Sequence, residues 1–411
     1  MASHSCTEGS TTHHCKALFA QARLVCNGRV VTPDPDELFN HLLDIRQAIS
    51  THHQSENLPI ESIFEPVFFD SRTWELVSSL FCLQPWHSIK QLALCFNLIE
   101  HHQISIDTLQ GLEKTRYNQF DTLIFPTLRW LIDQGVRFRH NSEVTDIIFK
   151  QDDKGKLFAQ GLTYIHSGEE HTLNLGPQAC VFVANGSVAS DFSIGEHNSA
   201  ALMTERPGND WNLWHSLSNK VKGSGDPVQF VNRIRQTTVV SFTVTSPNKK
   251  IFQLMEQLSG NVDGTGGLTT LHASNWQISI SLPYQPYFLG QPEHISVFWG
   301  YGLSPYTLGN FVKKAMVECS GEEILREIIS HLNFSQDQHK IMEGTNCRHL
   351  IFPYFTAPLL PSADKPEVVP NGVGNLAFIG QFTNVDDYPC LNIEYAVRSA
   401  RRAVYKLLGL G

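Results

Sequence analysis

Apolar and polar positions change period several times along this chain, and each change marks an element. Residues 15–32 (CKALFAQARLVCNGRVVT) read as a β-hairpin closed by Asn27-Gly28, the pair that a two-residue type I′ turn favours. Asp34-Pro35-Asp36-Glu37 opens a helix with a capping carboxylate and proline in the first turn, and Leu38, Leu42, Ile45 and Ile49 continue it at helical spacing. Residues 59–102 are helical and rich in aromatics. A further helix over 120–134 is bent at Pro126 and stopped by Gly135. The period then falls to two. VRFRH (136–140), EVTDIIFK (143–150), LFAQGLTYI (157–165) and HTLNL (171–175) read as strands, the later ones forming an antiparallel meander. PQACVFVANGS (177–187) is a continuous apolar run, the pattern of a parallel strand covered on both faces. Between 206 and 300, QTTVVSFTVT, GGLTTLHA, NWQISISL and HISVFWGYGL carry the β-branched and aromatic bias of strands. Residues 321–334 place Ile324, Leu325, Ile328 and Leu332 on one helical face. NLAFIG (375–380) is a buried-strand pattern, and 393–408 is an amphipathic helix with Arg398, Arg401 and Arg402 on its wet side.

The predicted organisation is a disordered tail over 1–12, a hairpin and helix over 13–58, and a helical substrate-side segment over 59–134. A dinucleotide-fold half with a β-meander follows over 135–205, then a strand-rich substrate domain over 206–345, and a return to the dinucleotide fold over 346–411. The fold class is α/β, Rossmann-like and incomplete.

Composition narrows the function. Hydrophobic residues make up 41% and charged residues 17%, as in an ordinary globular protein. The net charge of -9 argues against a nucleic-acid partner. Nine scattered cysteines without a C-x-x-C pair argue against a zinc site or a disulfide framework, and favour reduced thiols in a cytoplasmic protein. The polar first residues carry no secretory apolar region, and no run reaches the roughly 20 apolar residues of a membrane-spanning helix. The 25 phenylalanines suit a wide apolar pocket or plain core packing. A homodimer is left open.

Several strings, in order along nearly the whole chain, resemble the oleate hydratase (myosin-cross-reactive antigen) family. They are QPWHS (84–88), RYNQFDTLIFP (116–126), VFVANGS (181–187), SFTVT (241–245), SNWQIS (274–279), FWGYGL (298–303), ECSGEEIL (318–325), and FIGQF (378–382) with the helix IEYAVRSARRAVYKLL. The resemblance implies FAD on a Rossmann-like three-layer fold and addition of water across the double bond of an unsaturated fatty acid, with flavin in a structural or electrostatic role. It implies a lipophilic small-molecule substrate, and flavin contacts at Val144, Asn185, Gly186, Gly380, Gln381, Phe382 and Glu394.

The chain also departs from that family. No strand leads into a G-x-G-x-x-G turn, the family's FAD phosphate loop, and the Arg-Gly-Gly-Arg-Glu stretch carrying its water-activating Glu has no counterpart. The resemblance implies that the sequence begins after that unit and stops, at Gly411, before the family's C-terminal helical extension. The family's proton-donating Tyr falls on Cys95. Its Thr, Asn and His that hold the substrate carboxylate fall on Ser281, Pro283 and Tyr287.

Each candidate has a structural reading beside the functional one. Tyr117, Asn118 and Gln119 line a cavity or bind buried polar groups. Trp86 and His87 line a pocket or pack as a satisfied pair, with His87 suited to proton transfer. Cys95 acts chemically or fills space as a small hydrophobe. Asp386, Asp387 and Glu394 meet flavin hydroxyls or serve as helix caps and arginine partners. Three functions are expected: an FAD-binding hydratase, a cofactor-independent cyclase, isomerase or pericyclase acting on a lipophilic secondary metabolite, and a non-catalytic lipid-binding protein.

Overall fold

The computed structural model describes residues 23–52, 55, 57–104, 106, 115–264, 267–361 and 364–410. The predicted tail and the first half of the predicted hairpin lie outside these residues. The second half is β1 (Arg23–Cys26) and β2 (Arg29–Val31), joined at Asn27 and Gly28 with φ of 49° and 71°. That is the left-handed pair the type I′ turn requires.

Helix α1 (Pro35–His52) starts where Asp34 accepts the N–H groups of Asp36 and Glu37. Short α2 (Pro66–Phe69) leads to α3 (Arg72–Phe81), capped by Ser71, and α4 (Ile89–His102), capped by Ser88. A π-helical turn over Phe120–Ile124 precedes α5 (Phe125–Asp133), so Pro126 sits at a change of winding. No residue of α5 is buried, and Trp130 is 60% exposed. VRFRH is not a strand: residues 136–140 are irregular and pair with no strand among the described residues, and the meander starts at Ser142.

The meander is β3 (Ser142–Gln151), β4 (Leu157–His166) and β5 (Glu169–Asn174), antiparallel throughout. Next come β6 (Val181–Ala184), β7 (Ser193–Gly195), α6 (Asn212–Lys220), α7 (Val228–Val231), α8 (Ile234–Thr237) and β8 (Val239–Ser246). The rest is α9 (Lys250–Ser259), β9 (Leu268–Leu271), β10 (Ile278–Ser281), β11 (Ser296–Gly302), α10 (Gly321–His331), α11 (Gln338–Met342), β12 (Asn346–Phe352), β13 (Leu376–Ile379) and α12 (Ile393–Leu408).

Eight strands form one sheet in the order β2-β1-β9-β10-β11-β8-β12-β7. Only β1 and β9 pair parallel within it. Side chains alternate faces along a strand, so neighbours in sequence feed opposite cores. Val25, Phe242, Ile280 and Phe298 meet α9 and α10 on one face. Leu24 and Leu268 on the other meet α1, α3, α4, β13 and α12. The second core therefore ties the large sheet to the parallel pair β6–β13, whose register runs from Val181↔Leu376 to Ala184↔Ile379.

The pair is not covered on both faces along its whole width. Val181 and Val183 pack against the meander with Leu376 and Phe378, while Phe182 is 39% exposed on the opposite side. Helix α12 lies on β13, which leaves β6 as a half-covered edge strand. Among the described residues no helix is long and apolar enough to cross a membrane.

Helix α10 carries the clearest local signals. Ser320 and Glu323 form a reciprocal capping box, and the four apolar residues of its predicted face are fully buried. It also holds a loop in place. The buried Glu327 carboxylate accepts the backbone N–H groups of Asn310 (2.6 Å), Phe311 (3.0 Å) and Val312 (2.6 Å), and lies 3.4 Å from His331 Nε2. Burial pushes its pKa up, but His331 and the three N–H groups outweigh this and hold it below the ordinary value.

Replacing Glu327 with Ala removes the shared acceptor of three backbone N–H groups and the partner of buried His331, and should cost about 2 kcal/mol or more in urea unfolding. Stability should also fall with acid. His349, buried on β12, has its pKa pushed down to about 4 by burial. Below its unfolded value near 6.5 the unfolded chain binds the proton first, so stability is lost at about 1.4 kcal/mol per pH unit down to the folded value. Glu327, depressed in the folded state, adds a further loss as pH drops below the ordinary Glu range. Melting temperatures across that window should fall less steeply for His349→Gln.

Candidate functional site

The carboxyl ends of β6 and β13 lie side by side, the position where parallel strands leave room for a ligand. Asn185-Gly186 leaves β6 and Gly380-Gln381-Phe382 leaves β13. The two glycines serve different ends. A Cβ on Gly186 (φ 60°) would lie 2.9 Å from Trp211 and 3.2 Å from Phe382, so this glycine lets the turn pack on an aromatic cluster. A Cβ on Gly380 (φ 98°) would only touch the Ala184 Cβ, at 4.0 Å, so there the backbone is uncrowded and the positive φ is what calls for glycine. Its N–H is held by Ser399 of α12 at 2.8 Å.

Around these turns three buried polar atoms have no hydrogen-bond partner among the described residues: Asn185 Nδ2, Thr383 Oγ1 and Tyr354 Oη. Buried polar groups are nearly always paired, so three orphans in one neighbourhood mark a place where a polar ligand or water completes the set. Thr383 directly follows the FIGQF string and was within reach of sequence reasoning. Tyr354 carries no local signal, because it reaches the cluster only through its ring, 4.8 Å from that of Trp211.

The remaining predicted flavin contacts are placed differently. Gln381 is half-buried and donates to the Cys390 carbonyl at 3.4 Å. Phe382 is wholly buried, edge-on to Trp211, Trp214 and Phe230, so its ring is taken by the core. Val144 is on β3 opposite Tyr164, in the meander. Glu394 begins α12, where it accepts from Tyr388 Oη (2.6 Å) and Arg398 (2.7 Å). Asp387 pairs with Arg402 at 2.8 Å and Asp386 with Lys90 at 3.1 Å.

The predicted substrate residues form two groups. Asn118 and Tyr287 are joined: the backbone N–H and the side-chain amide of Asn118 both donate to the Tyr287 carbonyl, at 3.0 and 3.1 Å. Asp121 closes the clamp by accepting from Asn118 Nδ2 (2.6 Å) and Leu289 N (2.9 Å). Tyr117 is half-buried beside them and Gln119 is exposed. Burial raises the Tyr287 pKa, which keeps its phenol a donor. Ser281 is buried in the large sheet, opposite Leu268 and Trp299.

Trp86 and His87 make the second group. Trp86 Nε1 donates to the Gln236 carbonyl at 3.1 Å. His87 Nδ1 accepts from Gln84 N at 2.9 Å, which puts the ring proton on Nε2, itself buried without a partner. Burial pushes the His87 pKa down to about 3, so the ring stays neutral and is poorly placed to take up a proton at neutral pH. Cys95 is buried in α4, and burial, with Cys390 and Cys82 nearby, lifts its thiol far above the usual range.

Against known proteins, the chain matches the MCRA family over residues 16–405. An oleate hydratase of Streptococcus pyogenes serotype M49 (strain NZ131) is 32% identical over 377 residues, which are 89% of this chain and 64% of that protein. A linoleate hydratase of Lactiplantibacillus plantarum is 28% identical over 379 residues, 86% of this chain and 67% of that protein. The chain thus spans about two thirds of the length of these curated relatives. Among solved structures, an oxidoreductase from Methanosarcina mazei aligns with a TM-score of 0.46 at 10% identity, covering 93% of this chain and 80% of that one. A triple mutant of a flavin-dependent brominase aligns at 0.32 and 13%, covering 70% and 57%. Both structural likenesses are too weak to carry an argument. The match that runs from residue 16 to residue 405, together with the relative at 32% identity, places the chain in the MCRA family, alongside the oleate and linoleate hydratases.

Proposed function

We propose that the chain binds a flavin at the carboxyl ends of β6 and β13 and acts as a hydratase on an unsaturated fatty acyl substrate. The observation that carries this reading is the set of orphaned buried polar atoms at those strand ends, Asn185 Nδ2 and Thr383 Oγ1, next to the uncrowded backbone at Gly380. Asn185, Gly380 and Gln381 would hold the ring end of the flavin. A bound flavin supplies a planar polar surface, and hydration leaves its redox state unchanged.

On the substrate side, the protonated Tyr287 phenol would donate to a carboxylate, while the Ser281 hydroxyl is buried in the large sheet. Hydration also needs an acid for one alkene carbon and a base for water. The Cys95 thiol does not supply the acid, since burial makes it a far weaker one than an ordinary cysteine. That same observation favours a second reading, in which the chain isomerises or cyclises a lipophilic substrate by holding a reactive conformer, without a dedicated acid and base.

Titrating the purified chain with FAD and desalting it tests the first half. Stoichiometric flavin absorbance should remain, and Asn185→Leu or Thr383→Val should weaken binding about tenfold. Incubation with oleate in isotopically heavy water tests the second half. A product heavier by one labelled water supports the hydratase. A product of unchanged mass formed without flavin overturns it in favour of the isomerase. Cys95→Ala should leave turnover intact.

A further inference from the structure

A cleft of about 180 Å³ opens between the start of α3 and the turn from β9 to β10, and its lining residue Gln277 accepts from Gln84, the neighbour of His87. Its centre is a carboxylate–imidazole pair: Glu75 Oε2 of α3 lies 2.7 Å from Nδ1 of His272, the residue that follows β9. Both side chains are partly open to the cleft.

Most groups around this pair present acceptors, the amide N–H groups of Gln277, whose Oε1 accepts from Gln84, being the exception. Ser78 and Ser79 spend their hydroxyl protons on the Glu75 carbonyl, at 3.1 and 2.5 Å, and turn only lone pairs outward. With Nδ1 donating to Glu75, His272 Nε2 is also an acceptor. Asp70 adds an exposed carboxylate at the rim. On the other wall Phe69 and Trp74 meet edge to face at 5.1 Å.

An independent observation points to a ligand. Ser274 is 7% exposed and lines the cleft, yet its buried hydroxyl has no hydrogen-bond partner among the described residues. It is therefore not bonded to His272. The cleft thus holds no formed serine–imidazole pair of the kind a nucleophile uses, and the unpaired hydroxyl points to binding.

We infer that this cleft is a binding site for a small organic primary ammonium ion. Such a cation donates three hydrogen bonds and accepts none, the complement of an acceptor-lined site. Two carboxylates favour its charge, and the aromatic wall favours its alkyl portion and adds a cation–π contribution. The same carboxylates disfavour an anion, so the site does not compete for a free fatty acid.

Calorimetric titration of the whole chain with ethylammonium chloride tests it, with sodium chloride and glycerol as controls. The expected result is saturable one-site binding for the amine and none for either control. Asp70→Asn, at an exposed position, should weaken binding several-fold. Ser274→Ala should weaken it roughly three- to tenfold. Because the hydroxyl has no partner, Ser274→Ala should not lower the melting temperature of the free protein, which separates a ligand contact from a structural role. Glu75→Gln should weaken binding most. Absence of saturable heat, glycerol binding as tightly as the amine, or unchanged affinity in Asp70→Asn and Ser274→Ala would each overturn the assignment.

Discussion

Everything in this molecule hangs on one strand having to satisfy two neighbours and two faces at once. Strand β8 pairs along its length with β11 on one side and β12 on the other, and its buried Val240, Phe242 and Val244 form the floor on which α9 and α10 pack. The opposite face of the same sheet must be covered as well, and α1, α3 and α4 cover it. These helices reach past the sheet to β13 and α12, so the geometry of the strand-end site is set by packing that begins at the other end of the fold. Close-packed interiors transmit such constraints because they deform little.

The candidate site is accordingly built from loops whose stems are rigid. Gly380 is held by Ser399 of α12, and Asn118 and Asp121 staple the π-helical turn to the loop around Tyr287. In both places a side-chain amide or hydroxyl replaces the ladder bonds that an irregular backbone lacks. Asn185, Thr383 and Tyr354 stay unpaired beside these anchored stems, three of the eight buried side-chain atoms without a partner among the described residues. The dyad of Glu75 and His272 differs in kind. There the polar groups have found each other, and it is the excess of acceptors around them that is unbalanced.

Features decided by a few adjacent residues were legible in the sequence. The Asn27-Gly28 turn, the Asp34 cap, the capping box at Ser320 and Glu323, and the apolar face of α10 all follow from local chemistry. Features decided by a distant partner were not. VRFRH has strand composition but no strand to pair with. The run at 177–187 looks buried on both faces, yet helix α12 covers only β13, so Phe182 is left in the open. The place of β12 beside β8 depends on a pairing more than 90 residues away in sequence. For the site, the glycines of both strand ends were visible as letters. That Gly186 serves packing and Gly380 is uncrowded emerged only with their neighbours in place, as did the neutral, locked state of His87.

The bare helix α5 governs how copies of the molecule behave towards one another. With the turn before it, it shows Phe120, Ile124, Trp130 and Ile132 to solvent. Exposed apolar side chains of this size draw molecules together, while a net charge of -9 pushes them apart. The repulsion reaches only about 8 Å at physiological ionic strength and shrinks as salt is added. The attraction between apolar faces does not shrink, and excluded salts such as sulfate strengthen it. The colloidal balance of this protein is thus tuned by its buffer, and dilute, low-salt solutions favour separate molecules.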